Sequence, residues 1–439
     1  MPRNGRPNIL LLHVDEQPWN ALAGEGNTGI RTPNIDRLAK QGCRFSYCFT
    51  QHLDPVLARS ALLAGQYPSR VSSGSALSAE PTLLPRVLRS YGYRCAGFGS
   101  MRLTEAARDW RKPYPDFGFD QLEVSDDFGR DDSYNAFLRW RHSEGPERVA
   151  AAMAQDPRQG NKFFQLPPDA TPNALVESRT LSFLQQQAKT GQPFFCLAGL
   201  RAFSWPLVMP QRFLALYDAE KLPLPDIAHY LEEYLGMTPE HIRFQQRAYY
   251  ASVTEVDDHV GLMVQELERL SLSQNTLVVF TAGRGRYADT ALEQSGTWIP
   301  DVMARVPLIV RGPAELVHPD IRCNSMAEAI DVAPTLLKLA GICPPPEMQG
   351  VSLAPVLAGQ SRIHRDSAMT ELPDRRAIRT RYFQYVVRAD GVESLFDLSE
   401  PEKQFTDVAE VLRYRGALAE HRHHLIKRMI QAGAPVSDR

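Results

Sequence analysis

The run Asn8-Ile-Leu-Leu-Leu-His-Val14 is apolar almost without a break and meets two acids, Asp15 and Glu16, at its end. A strand with water on one face alternates apolar and polar residues, so an unbroken run belongs to a strand covered on both faces, as in a parallel sheet between helices. The stretches "YRCAGFG" (93–99), "PFFCLAGL" (193–200) and "NTLVVFTAG" (275–283) are of the same kind. Helical segments separate them. Residues 32–42 predict a helix with Thr32 as cap, Pro33 in the first turn and Gly42 as stop. Further helices are expected at 82–92, 173–187 and 244–270. The class is α/β, a doubly wound sheet, and its ligands belong at the carboxyl ends of the strands. Residues 376–398 alternate like an antiparallel hairpin and a basic helix closes the chain. The expected division is a core over 1–360, with a polar insertion at about 105–172, and a C-terminal α+β subdomain over 361–439.

The balance of charge, −2 over 439 residues, argues against capture of nucleic acid or an anionic membrane surface. Six cysteines are scattered without metal-binding or redox spacing, and no run reaches the roughly 18 apolar residues of a membrane span. The N-terminal apolar run is too short for a secretory leader, so a cytoplasmic location is expected.

In chain order, "PNILLLHVDEQ", "TPNIDRLAKQG", "RSALLAGQYPSR", "YYASVTEVDDHVG", "NTLVVFT", "ARVPLIVRGP", "IDVAPTLLKLAG" and "SLFDLSEPEKQF" resemble successive motifs of the sulfatase family in the alkaline phosphatase superfamily. The resemblance covers nearly the whole chain. It implies an alkaline phosphatase type of mixed sheet, one divalent cation held by acids after two strands, and a formylglycine nucleophile made from a Cys-x-Pro-Ser-Arg motif.

Placed on that pattern, several positions differ. Asp15 and Glu16 match the first acidic pair, and Arg59 the motif's arginine. Counting back from Arg59, the nucleophile slot falls on Pro55, with Asp54 one residue away. The later acid and its neutral neighbour are Gly283 and Arg284, and a guanidinium repels a cation. Ser100 and Arg102 stand for a lysine and a histidine, Arg201 for a histidine, and the slot of another lysine falls near Gly296. The resemblance therefore implies no metal and no cofactor here. The sequence leads to a protein that has lost metal- and formylglycine-dependent sulfate ester hydrolysis, with at most trace turnover of aryl sulfates and phosphates.

Three replaced slots are arginine. Arg59, Arg102, Arg201 and Arg284 are expected either to line a pocket for a small sulfate, phosphate or carboxylate ligand, or to pair internally with Asp15 and Glu16. The protein is then a pseudoenzyme or an assembly partner, as a homo-oligomer or with an active enzyme. The alternative is a repurposed metal-independent enzyme on a small anionic substrate, with Asp15, Glu16, His52 or Asp54 as catalytic candidates.

Other clusters have plainer readings. His421 and His424 are expected on a solvated helix face, Asp257, Asp258 and His259 in capping and surface pairing, and the Asp-rich 126–132 in a loop. His13 and His52 flank the expected crevice.

Overall fold

The computed structural model describes residues 5–73, 76–77, 82–103, 115–125, 168–202, 210–225, 228–286, 298–399 and 405–433. Its large sheet has eight strands: β1 Asn8–Asp15, β2 Cys43–Phe49, β3 Arg94–Gly99, β4 Gln121–Val124, β5 Phe194–Arg201, β6 Thr276–Ala282, β7 Arg305–Arg311 and β8 Ile321–Glu328. They lie in the order β8-β2-β7-β6-β1-β5-β3-β4, and β7 runs antiparallel to both its neighbours while the other pairs are parallel. All eight residues of β1 are buried between parallel β5 and β6, which is why its sequence does not alternate. Each buried Leu or Ile there stabilises by about 1.5–3 kcal/mol over an exposed one.

The longer helices include α1 Pro33–Lys40, α2 Pro55–Ala64, α3 Leu84–Ser90, α4 Pro172–Thr190, α5 Pro239–Arg269, α6 Val332–Leu339 and α7 Arg415–Gly433. A smaller antiparallel sheet, β9 Ala368–Leu372, β10 Arg375–Arg379, β11 Phe383–Arg388 and β12 Glu393–Asp397, forms the C-terminal α+β subdomain with α7. The expected hairpin at 376–398 is in fact three strands, because Thr380–Tyr382 break the run and turn the chain. No helix among the described residues is long and apolar enough to cross a membrane. Most of the polar stretch 105–172, the Asp-rich loop 126–132 and Gly296 lie outside the described residues.

Thr32 does not cap α1 with its side chain. Its hydroxyl accepts from Ala23 N and donates to Asp36, while the free N–H groups of α1 are met from α5. Asp257 accepts from Ile35 N at 2.8 Å and from Asn34 N at 3.2 Å, and burial pushes its carboxyl up to about 6. Asp257→Ala is expected to lower stability by about 1–2 kcal/mol, the loss of a helix cap, and urea unfolding at neutral pH measures it.

The terminal helix also corrects an expectation. His421 is buried, not solvated: its Nδ1–H donates to Ala417 O and its Nε2 accepts from Thr380 Oγ1 at 2.8 Å. Burial lowers its pKa, and Phe383 packs on the ring.

Candidate functional site

β1 lies between β6 and β5, so its carboxyl end opens in the middle of the sheet, where an α/β sheet presents a ligand crevice. Asp15 is its last residue. The chain then turns through Glu16 in the left-handed region, φ 64°, a conformation that costs a non-glycine residue about 1–2 kcal/mol. Tyr249 of α5 donates to the Glu16 carbonyl at 3.3 Å and holds that turn.

Every carboxylate oxygen of the pair is engaged. Asp15 Oδ1 accepts from Arg59 of α2, and Oδ2 accepts from Ser100 Oγ at 2.5 Å and Arg102 Nε at 3.0 Å. Glu16 Oε1 accepts from Arg284 and Oε2 from Arg286, both at 2.9 Å. Burial alone would raise the Asp15 carboxyl, but the Arg59 and Arg102 guanidiniums more than offset it and hold the group well below the usual carboxylate range. Arg59 is fully buried and also donates to the Ser100 carbonyl. Arg284 reaches the Leu53 carbonyl at 2.8 Å and so ties the loop before α2 to the end of β6.

His13 sits under this cluster. A guanidinium only donates, so the 2.7 Å contact between Arg59 Nη2 and His13 Nδ1 fixes the imidazole proton on Nε2. That Nε2 has no hydrogen-bond partner among the described residues. Burial, followed by the Arg59 charge, lowers the His13 pKa well below its ordinary value, so the ring is neutral. A Cβ at position 283 would lie 3.1–3.3 Å from this ring, which is why glycine fits there.

The start of α2 is also built differently from the expectation. Asp54 is its N-cap: Oδ1 accepts from Val56 N at 2.9 Å and Leu57 N at 3.1 Å, and Pro55 occupies the first turn. The anion position at this helix end is thus taken by the chain's own carboxylate, so Asp54, one of the catalytic candidates, is engaged as a cap. His52 Nδ1 accepts from Asp54 N at 2.8 Å, so what the ring still offers is an Nε2–H donor, not the free lone pair of a base. Its pKa is pushed down to about 4, chiefly by burial.

Of the four expected arginines, the structure brings Arg59, Arg102 and Arg284 to the two acids. Arg201 follows Leu200 at the end of β5, in register with Asp15, but its guanidinium reaches the Ser125 carbonyl after β4. Arg286 joins the cluster, and its signal was the second arginine of "GRGR" after β6. A divalent cation does not fit these donors. The oxygens that would ligate it are bonded to guanidiniums, Gly283 offers none, and among the described residues no three His, Cys, Asp or Glu side chains converge as a metal site.

The family described as Sulfatase matches residues 7–342, and N-sulphoglucosamine sulphohydrolase, C-terminal, matches 296–408. The chain belongs to the sulfatase family. It is 25% identical to the ulvan-active sulfatase of Formosa agariphila, over 91% of this chain and 76% of that one. With the choline-sulfatase of Rhizobium meliloti it shares 26%, over 92% and 83%. Its fold superposes on the phosphonate monoester hydrolase of Agrobacterium radiobacter with a TM-score of 0.83, at 21% identity and over 99% and 100% of the two chains.

These relatives overturn the expectation of lost hydrolysis. Proteins that align with nine-tenths of the chain are named as sulfatases, and nothing in the matches marks this one as inactive. The expectation equated absence of one nucleophile and one metal site with absence of chemistry, and the residues do not support that step.

Proposed function

We propose that the chain hydrolyses a small anionic ester, a sulfate or phosphonate monoester, at the carboxyl end of β1. The observation that carries this reading is the convergence of Arg59, Arg102, Arg284 and Arg286 on Asp15 and Glu16 in a largely buried crevice. Planar guanidiniums suit tetrahedral oxyanions through paired N–H groups, and donors fixed before the reaction favour the charge that grows in the transition state. Arg102, with 29% of its side chain exposed, is the member a substrate meets first. Neutral His52 adds a hydrogen-bond donor beside Arg284. The six cysteines are all free thiols, which supports a reducing, cytoplasmic setting.

Initial rates on 4-nitrophenyl sulfate and 4-nitrophenyl phenylphosphonate test the reading. Turnover of at least one above a heat-inactivated control is expected, with kcat/KM for Arg102→Ala lowered by about ten- to a hundredfold, the worth of one charge-assisted contact. The neutral ester 4-nitrophenyl acetate should not distinguish the two proteins. Wild-type protein that leaves both anionic esters intact would end this proposal.

A further inference from the structure

The terminal helix α7 buries one side and leaves an apolar stripe beside it in solvent. Leu418, His421, Leu425 and Arg428, three or four residues apart, pack on the body of the protein. Ile426, Met429 and Ile430, at the same helical spacing, are 57%, 51% and 66% exposed. A single exposed apolar residue is ordinary, but three adjoining ones mark a contact surface. The last turn that carries them is fastened. Arg428 donates to Tyr67 Oη and Glu328 Oε2, both at 2.6 Å, Arg70 reaches the Gly433 carbonyl at 2.9 Å, and Gln349 donates to the Ala432 carbonyl. The stripe thus sits on a rigid rod that loses little freedom when it is covered.

The flanking charges bear on what covers it. Arg422 is paired with Glu393 at 2.7 Å and Lys427 with Asp366 at 3.4 Å. These cations are met within the chain, so they give little pull on an acidic partner or an anionic lipid surface. What the stripe fits is a second apolar stripe with neutralised flanks, and its own copy is one.

We infer that α7 pairs with α7 of a second copy of this chain, antiparallel around a two-fold axis beside Met429. That arrangement sets Ile426 of one copy against Ile430 of the other and His423 against Gly433, so apolar meets apolar and no cation faces a cation. Three side chains of this size and exposure offer on the order of 300 Å² per copy, under half of the roughly 800 Å² per partner of a stable complex. The dimer is therefore a weak one, with a dissociation constant in about the micromolar range. It is independent of the arginine cluster and of any hydrolysis there.

Sedimentation velocity on the full chain from about 1 to 200 µM decides the matter. The wild type should pass from monomer toward dimer over that range. Ile426→Glu combined with Ile430→Glu, at exposed positions where folding is not at stake, should stay monomeric throughout with an unchanged melting temperature. An isologous contact brings a residue near the axis close to its own copy, so Met429→Cys, with the exposed Cys343 replaced by serine, should cross-link as a dimer under copper phenanthroline, and Asp218→Cys in the same background should not. The inference is overturned if the wild type stays monomeric at the highest concentration, if the double variant still dimerises, or if Met429→Cys does not cross-link. A wild type that remains monomeric yet floats with phosphatidylcholine–phosphatidylserine vesicles overturns it in favour of a lipid surface.

Discussion

Asp15→Ala should destabilise the protein by about 3–5 kcal/mol, the cost of removing one partner from a buried ion pair. Arg59, fully buried, would lose its carboxylate and keep only carbonyl and imidazole contacts, with Arg102 losing the same partner. The penalty is a property of the stranded charge. Asp15→Ala combined with Arg59→Met should therefore recover a good part of the loss, although it creates no new contact. The pH dependence has a definite sign. In the unfolded chain Asp15 titrates near 3.8, and in the fold it is held lower. Its contribution is complete above that value and fades as pH falls through the folded one, so the wild type should lose its advantage over Asp15→Ala in acid. Urea unfolding of the three proteins at pH 7 and pH 3 measures both effects. A loss below about 1 kcal/mol at pH 7, the range of an exposed pair, would mean that Arg59 and Asp15 are not paired in the dry interior.

The central strands were legible because burial on both faces leaves a local mark, an unbroken apolar run, in β1, β5 and β6 alike. The cap of α1 was not, since Asp257 is more than two hundred residues away from Asn34 and nothing local to Thr32 reports on it. In the site, the register of the motifs placed Asp15, Glu16, Arg59 and Arg284 together. It could not say which guanidinium meets which oxygen, or that Arg201 turns to Ser125. The fit between His13 and Gly283 is likewise a matter of a few tenths of an ångström across two strands. One local signal was there to be read differently: aspartate followed by proline before an apolar run is the signature of a helix start, and it describes Asp54 and Pro55 as the structure has them. The same segment, read as a damaged nucleophile motif, led to the expectation of lost hydrolysis that the relatives correct.

Stability should also fall between about pH 6.5 and 9 by an amount traceable to His259. This residue was expected in surface pairing, yet only 5% of its side chain is exposed, and it joins α5 to α4. Its Nδ1 meets Glu177 Oε2 at 2.5 Å, and Nε2 stands 3.6 Å from Glu255, an ion contact rather than a hydrogen bond. Burial pushes the imidazole pKa down, but the two carboxylates more than offset this and raise it to about 9. The folded state thus holds a proton that the unfolded chain releases near 6.5. A raised pKa of this kind stabilises fully below the unfolded value and is lost as pH rises through the folded one. At about 1.4 kcal/mol per unit, the shift is worth roughly 3 kcal/mol. His259→Gln keeps a donor near Glu177 but cannot carry the charge, so subtracting its stability from that of the wild type removes the other titrations common to both. Urea unfolding of the pair at pH 6.5 and 9.5 should show that difference shrinking by roughly 3 kcal/mol. A change under about 1 kcal/mol would mean that His259 is neutral in the fold and that α4 and α5 are held by packing alone.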